Sequence, residues 1–166
     1  MNFDDLTVQE AVRRSIQTEK NAMDFYRLAA QKMHDAEARR VFELLSSEER
    51  GHAGTFYEIY TGSDIPSLDS FLDKPPHHES DWISALDRII DTGFNEQKAL
   101  ELAMHKEQQL EEVLSKMAER VPDPAVKAVF EFNIKGTHNH YLMIESEYAR
   151  VMAMVHESDM DIYVRE

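Results

Sequence analysis

Two stretches of this sequence repeat one another at a single offset, which constrains the fold more than any other feature. Adding 88 carries Ala11 to Ala99, Glu19 to Glu107 (19 + 88 = 107), Asp35 to Asp123, and His52 to His140. The same shift carries Val41-Phe42-Glu43 to Val129-Phe130-Glu131, with no insertion between Glu19 and His52. Two copies are too few for a solenoid, which needs at least three. They suit instead two like units that pair about a pseudo-twofold axis. Residues related by the offset then face one another across a shared core.

Each unit reads as a pair of helices. Thr7-Val8-Gln9-Glu10 has the form of a capping box. Val12, Ile16, Ala22, Met23, Tyr26, Ala29, Ala30 and Met33 follow at the three- and four-residue spacing of one helical face. Asp35 is placed to cap a second helix, with Glu37 in its first turn. That helix carries Ala38, Val41, Phe42, Leu45, Phe56, Ile59 and Tyr60, and Thr61-Gly62 stops it. A third stripe comprises Leu100, Ala103, Met104, Leu110, Leu114 and Met117. After Pro122, Asp123 caps a fourth helix with Pro124 at its first position. Its stripe runs Val126, Val129, Phe130, Ile134, Tyr141, Ile144, Tyr148 and Val151. The expected long helices are Thr7–Met33, Ala36–Tyr60, Asn95–Val121 and Pro124–Val155.

The hairpins, residues 7–61 and 95–155, are joined by residues 62–94. This connection is too long for neighbouring antiparallel helices. It holds Gly62, Pro66, Pro75 and Pro76, then a short helical segment over Asp81–Asp91 in which Trp82 is placed to anchor the connection on the bundle. A polar tail, 156–166, ends the sequence. The reading is an all-α, single-domain four-helix bundle with one long crossover. With only 5 glycines and 5 prolines, no strand pattern competes.

Composition narrows the function. The net charge is −14, from 18 basic and 32 acidic residues, so the surface repels nucleic acid and anionic membranes. Absence of cysteine excludes disulfides, thiolate zinc sites, iron–sulfur clusters and cysteine nucleophiles. Met1-Asn2-Phe3-Asp4-Asp5 lacks the basic and apolar regions of a signal peptide, so a cytoplasmic location is expected.

The chemistry sits on the apolar faces. Glu19 lies between Ile16 and Met23, and Glu107 between Met104 and Leu110. Glu49 and His52 continue the face of the second helix one turn apart, and His140 continues that of the fourth. An ionised carboxylate in a core costs several kcal/mol unless paired or metal-bound, and adjacent carboxylates repel one another. A divalent or trivalent cation removes both costs, and carboxylate with imidazole suits iron, manganese or zinc. Taken singly, a Glu in such a stripe usually reaches solvent, and a His is usually hydrogen-bonded core. Their recurrence at one offset, on all four stripes, is what points to a shared metal site.

Around these positions the chain resembles the rubrerythrin branch of the ferritin-like superfamily. Glu19-Lys20-Asn21-Ala22-Met23-Asp24-Phe25-Tyr26 and Glu48-Glu49-Arg50-Gly51-His52 carry the resemblance, which spans about residues 7–155. The di-iron members of that superfamily take a Glu from each of two helices and Glu-x-x-His from the other two. The resemblance implies that Glu19, Glu49, His52, Glu107 and His140 are ligands, with Glu49 bridging two metals and Tyr26 behind them. It implies two iron ions, with zinc or manganese as substitutes, an oxidoreductase reacting with peroxide or dioxygen or oxidising ferrous iron, an external electron donor, and a homodimer with exchanged helices.

Three positions depart from that pattern. The second Glu-x-x-His requires Glu at 49 + 88 = 137, where Thr137 stands. Leu110 replaces an additional Glu of the third helix, and without cysteines there is no rubredoxin-type module. The competing reading is therefore a non-catalytic metal-binding or iron-handling protein with one metal. A purely structural bundle explains the inward Glu and His residues poorly. His138, one position off the stripe, is the substitute ligand to examine, whereas His77, His78 and Glu79 read as solvated crossover.

Overall fold

The computed structural model describes residues 6–164, with side chains described as far as Glu157. The Met1–Asp5 segment and residues 165 and 166 of the tail lie outside the described residues. The described chain is all helix and connection: α1 (Val8–Lys32), α2 (Ala36–Glu58), α3 (Leu68–Leu72), α4 (Asp81–Thr92), α5 (Glu96–Ala118) and α6 (Pro124–Val164). None of these helices is long and apolar enough to cross a membrane.

Local chemistry sets the helix ends. Thr7 accepts from the Glu10 amide while the Glu10 carboxylate accepts from the Thr7 amide, the reciprocal pairing of a capping box. Asp35 accepts from the Ala38 amide at 2.8 Å and starts α2. Its offset partner Asp123 accepts from the Ala125 amide at 2.9 Å and starts α6. Each cap satisfies one of the orphaned amides of a first turn, worth about 1 kcal/mol. α6 does not stop with its apolar stripe at Val155 but continues through the polar segment to Val164.

The main packing is α1 against α2 and α5 against α6, with α2 and α6 also in contact. This is a ferritin-like four-helix bundle. The crossover adds two helices. α3, capped by Ser67, buries Phe71 and Leu72; at five residues it is too short for helical periodicity to mark it. α4 lies against both α1 and α5 and buries Trp82, Ile83, Ala85 and Leu86. Trp82 packs with ring centroids 5.2 Å from Phe25 and 5.9 Å from Tyr26. Phe42 meets Tyr26 edge to face at 5.0 Å, and its offset partner Phe130 meets Phe56 at 5.1 Å. Each such buried ring contributes about 1.5–3 kcal/mol relative to exposure. Lys20, buried beside Asp24 at 2.5 Å, donates to the Lys74 carbonyl at 3.0 Å and ties the crossover to α1.

The α6 core face is not apolar. Its buried line is Phe130, Asn133, Thr137, His140, Ile144 and Glu147, while Ile134, Tyr141 and Tyr148 are half-buried at its edges. A helix presents such a polar face to a core only where the core itself carries polar groups to meet it.

Candidate metal centre

Helix periodicity brings the five residues singled out in the sequence to one place. Glu19 on α1, Glu49 on α2 and Glu107 on α5 have no solvent exposure, and His52 and His140 are buried beside them. Glu49 stands between the histidines. Its Oε1 is 2.8 Å from His140 Nδ1, and its Oε2 is 3.4 Å from His52 Nδ1. Glu19 Oε2 lies 3.8 Å from His52 Nδ1, and Glu107 Oε1 lies 3.6 Å from His140 Nδ1. The two imidazoles stack with centroids 4.9 Å apart and planes 14° apart. Donor atoms of Glu49, His52 and His140 all fall within 4.8 Å of one another.

The hydrogen bonding of this cluster is incomplete. Both oxygens of Glu19, Oε2 of Glu49, Nδ1 of His52 and Oε2 of Glu107 are buried without a hydrogen-bond partner. Native interiors rarely leave such atoms unmatched, and each carries a desolvation cost of about 1–3 kcal/mol or more. Oxygen and imidazole donors converging in a buried space suit a cation of the iron, manganese or zinc type. The residues present therefore fit the group that the sequence resemblance implies.

The protonation balance points the same way. Burial, then the adjacent Glu49 charge, pushes the Glu19 carboxyl well above its ordinary range. Burial, then Glu49, pushes Glu107 up to about 7. Burial also opposes ionisation of Glu49, but the adjoining Glu19 carboxyl and the His140 and His52 imidazoles outweigh it and hold that carboxyl low. For the histidines burial disfavours charge, yet the facing carboxylates win: Glu19 and Glu49 raise His52 to about 10, and Glu107 and Glu49 raise His140 to about 11. Two of the three carboxylates, Glu19 and Glu107, and both imidazoles are thus pushed toward retaining protons that balance the negative charge, a task a bound cation performs equally well.

Residues around the cluster hold it in place. The Tyr26 hydroxyl donates to Glu107 Oε1 at 2.5 Å, and burial, then the Glu107 charge, keeps that phenol protonated. Thr137 is fully buried at the position where the offset requires a carboxylate, and its Oγ1 has no partner. Leu110 is buried core. His138 does not turn inward to replace the missing group; its half-exposed ring lies 3.2 Å from Glu111 on the outer face. His77, His78 and Glu79 are exposed, with His78 paired to Asp87 at 2.8 Å.

Two further residues touch the centre without standing out in the sequence pattern. Glu48 Oε2 lies 2.6 Å from His140 Nε2. Gly136 lies so close to His52 that a Cβ there would stand 2.6 Å from its Nε2. The offset relates these two positions (48 + 88 = 136), and because their residue types differ, a search for matched pairs passes over both. Asn133, whose amide donates to Thr55 Oγ1 at 2.9 Å, also lies on the buried α6 face, with no periodic signal to mark it.

Comparisons with curated proteins and with solved structures found no match. The sequence profile of the rubrerythrin family matches residues 10–148, which include all five converging side chains. That span covers most of the chain, and the chain belongs to the rubrerythrin family.

Proposed function

We propose that this protein is a non-haem di-iron oxidoreductase that reduces peroxide or dioxygen, with Glu19, Glu49, His52, Glu107 and His140 as its ligands. The supporting observation is the set of buried, unpartnered donor atoms on Glu19, Glu49, His52 and Glu107. Glu19 and His52 would serve one ion, Glu107 and His140 the other. Glu49, with one oxygen toward each histidine, would serve both. When bound, a ferrous pair supplies the two electrons that reduce a peroxide O–O bond, the protein contributing position and a dry surrounding. Tyr26 holds the Glu107 carboxylate in place. Thr137 leaves the Glu107 side one carboxylate short, so the ion beside Glu19 binds more tightly. Electrons for repeated turnover come from an external donor, or from ferrous iron as the substrate.

One observation favours a second reading. Glu49, His52 and His140 by themselves bring donor atoms within 4.8 Å, enough for one cation. A single zinc would then make the protein a metal-binding one without redox chemistry. The test is to load the protein anaerobically with ferrous iron, add one equivalent of hydrogen peroxide, and follow ferric absorbance against Glu49→Ala. Rapid oxidation of two irons per chain, lost in the variant, supports the di-iron reading. Oxidation no faster than for iron in buffer contradicts it.

A further inference from the structure

The two histidines of the centre are equivalent by the 88-residue offset, yet what lies behind each differs. Both turn Nδ1 toward the buried carboxylates. The far nitrogen of His140, Nε2, meets Glu48 Oε2 at 2.6 Å. The far nitrogen of His52 faces Gly136, which occupies the position related to Glu48 and has no side chain to offer. The carboxylate of this unequal pair backs the histidine beside Glu107, on the side where Thr137 replaces a carboxylate.

We infer that Glu48 is a positioning residue for His140, offsetting the carboxylate that Thr137 does not supply; this rests on the metal-centre reading above. A neutral imidazole carries one proton, and the stronger acceptor decides which nitrogen keeps it. Glu48 accepts the proton on Nε2, so when a cation displaces the Nδ1 proton shared with Glu49, the Nδ1 lone pair is left directed into the core beside Glu49 and Glu107. The same hydrogen bond fixes the ring plane and strengthens the imidazole as a donor, as carboxylates behind metal-bound histidines do elsewhere. Glu48 cannot itself share an ion with Nδ1, because it sits on the opposite edge of the ring. Its side chain is 41% exposed, so it reaches His140 from the surface between α2 and α6 without adding a fully buried charge to the cluster.

The test is zinc binding by competition with a chromogenic chelator, in the full chain and in Glu48→Gln and Glu48→Ala. Imidazole nitrogen and proton resonances of the zinc-loaded proteins are recorded in parallel. Zinc binding by the unaltered chain tests the metal-centre reading, and the variants test the role of Glu48. The expected result is that one zinc equivalent weakens about 10–100-fold in Glu48→Ala and the other is unchanged. Glu48→Gln, whose amide oxygen still accepts from Nε2, weakens it less, and its retained volume keeps the test valid if the alanine variant folds poorly. The His140 Nε2 proton should be downfield and solvent-protected in the unaltered chain and lose both properties in Glu48→Ala. Unchanged affinity in both variants, equal weakening of both equivalents, or an unaltered His140 resonance overturns the assignment. No zinc binding by the unaltered chain overturns the metal-centre reading and this inference together.

Discussion

The hydroxyl of Tyr26 donates to Glu107 Oε1 at 2.5 Å, a hydrogen bond between α1 and α5 inside the core. Among the described residues it is the one hydrogen bond that Glu107 receives from a neutral donor; the other oxygen of that carboxylate has no hydrogen-bond partner there. Tyr26→Phe removes the donor and leaves both oxygens unsatisfied. The cost in the metal-free protein should be about 1–3 kcal/mol, and smaller with zinc bound, because a cation then takes up the carboxylate. Thermal unfolding of both proteins with and without zinc measures the difference.

Trp82 acts one step further out. It packs on Phe25 and Tyr26, and so braces the tyrosine that holds Glu107. Trp82→Ala should destabilise the fold by about 3–5 kcal/mol through the cavity it leaves. Trp82→Phe retains part of the contact and should fall between the two. Denaturant unfolding of the three chains gives the order; equal stabilities would mean that the crossover is not anchored through this residue.

Gly136 separates ligand placement from folding. A Cβ at this position would stand 2.6 Å from His52 Nε2 and 2.8 Å from Cε1, so the imidazole has to move. Alanine meanwhile favours the helix by about 1 kcal/mol. Gly136→Ala should therefore leave metal-free stability nearly unchanged while weakening the cation position that uses His52. Zinc titration and thermal melts of the same samples report the two effects separately.

Protonation and cation binding compete, which sets a pH dependence. Glu107 is raised from an ordinary 4.5 to about 7 by burial and Glu49, so its neutral form stabilises the fold fully below the unfolded value. That contribution is lost as pH rises through about 7. His52 and His140, raised from 6.5 to about 10 and about 11, stay charged in the folded state across this window; their contribution is full below 6.5 and declines steadily from there up to their folded values, which adds to the loss. Metal-free stability should thus decline between about pH 5 and pH 8, while the stabilisation added by zinc grows as ligand protons become easier to displace. Calorimetric melts over that range, with and without zinc, check both slopes.

Much of this centre can be read from residue order because helices have a fixed period. Glu19, Glu49, Glu107 and the two histidines fall on apolar stripes, and the stripes alone bring them inward. The offset marks them as pairs, and the Asp35 and Asp123 caps show the same symmetry. What breaks the symmetry is harder to see. Glu48 and Gly136 are related positions with different residues, and their roles depend on which edge of an imidazole each one meets. The outward turn of His138, by contrast, follows from its place one position off the α6 stripe, beside buried Thr137. α3 is too short for periodicity to reveal; Ser67 and the pair Phe71 and Leu72 are its only local signs.

The central claim is that the buried carboxylates and imidazoles hold two metal ions. Anaerobic calorimetric titration of ferrous iron into the metal-stripped protein tests it most directly. Two equivalents per chain are predicted, the first tighter than the second, both lost in Glu49→Ala, with a melting temperature that rises as each site fills. Absence of binding, with a melting temperature indifferent to iron, would contradict it and leave a bundle whose buried glutamates are neutralised by protons alone.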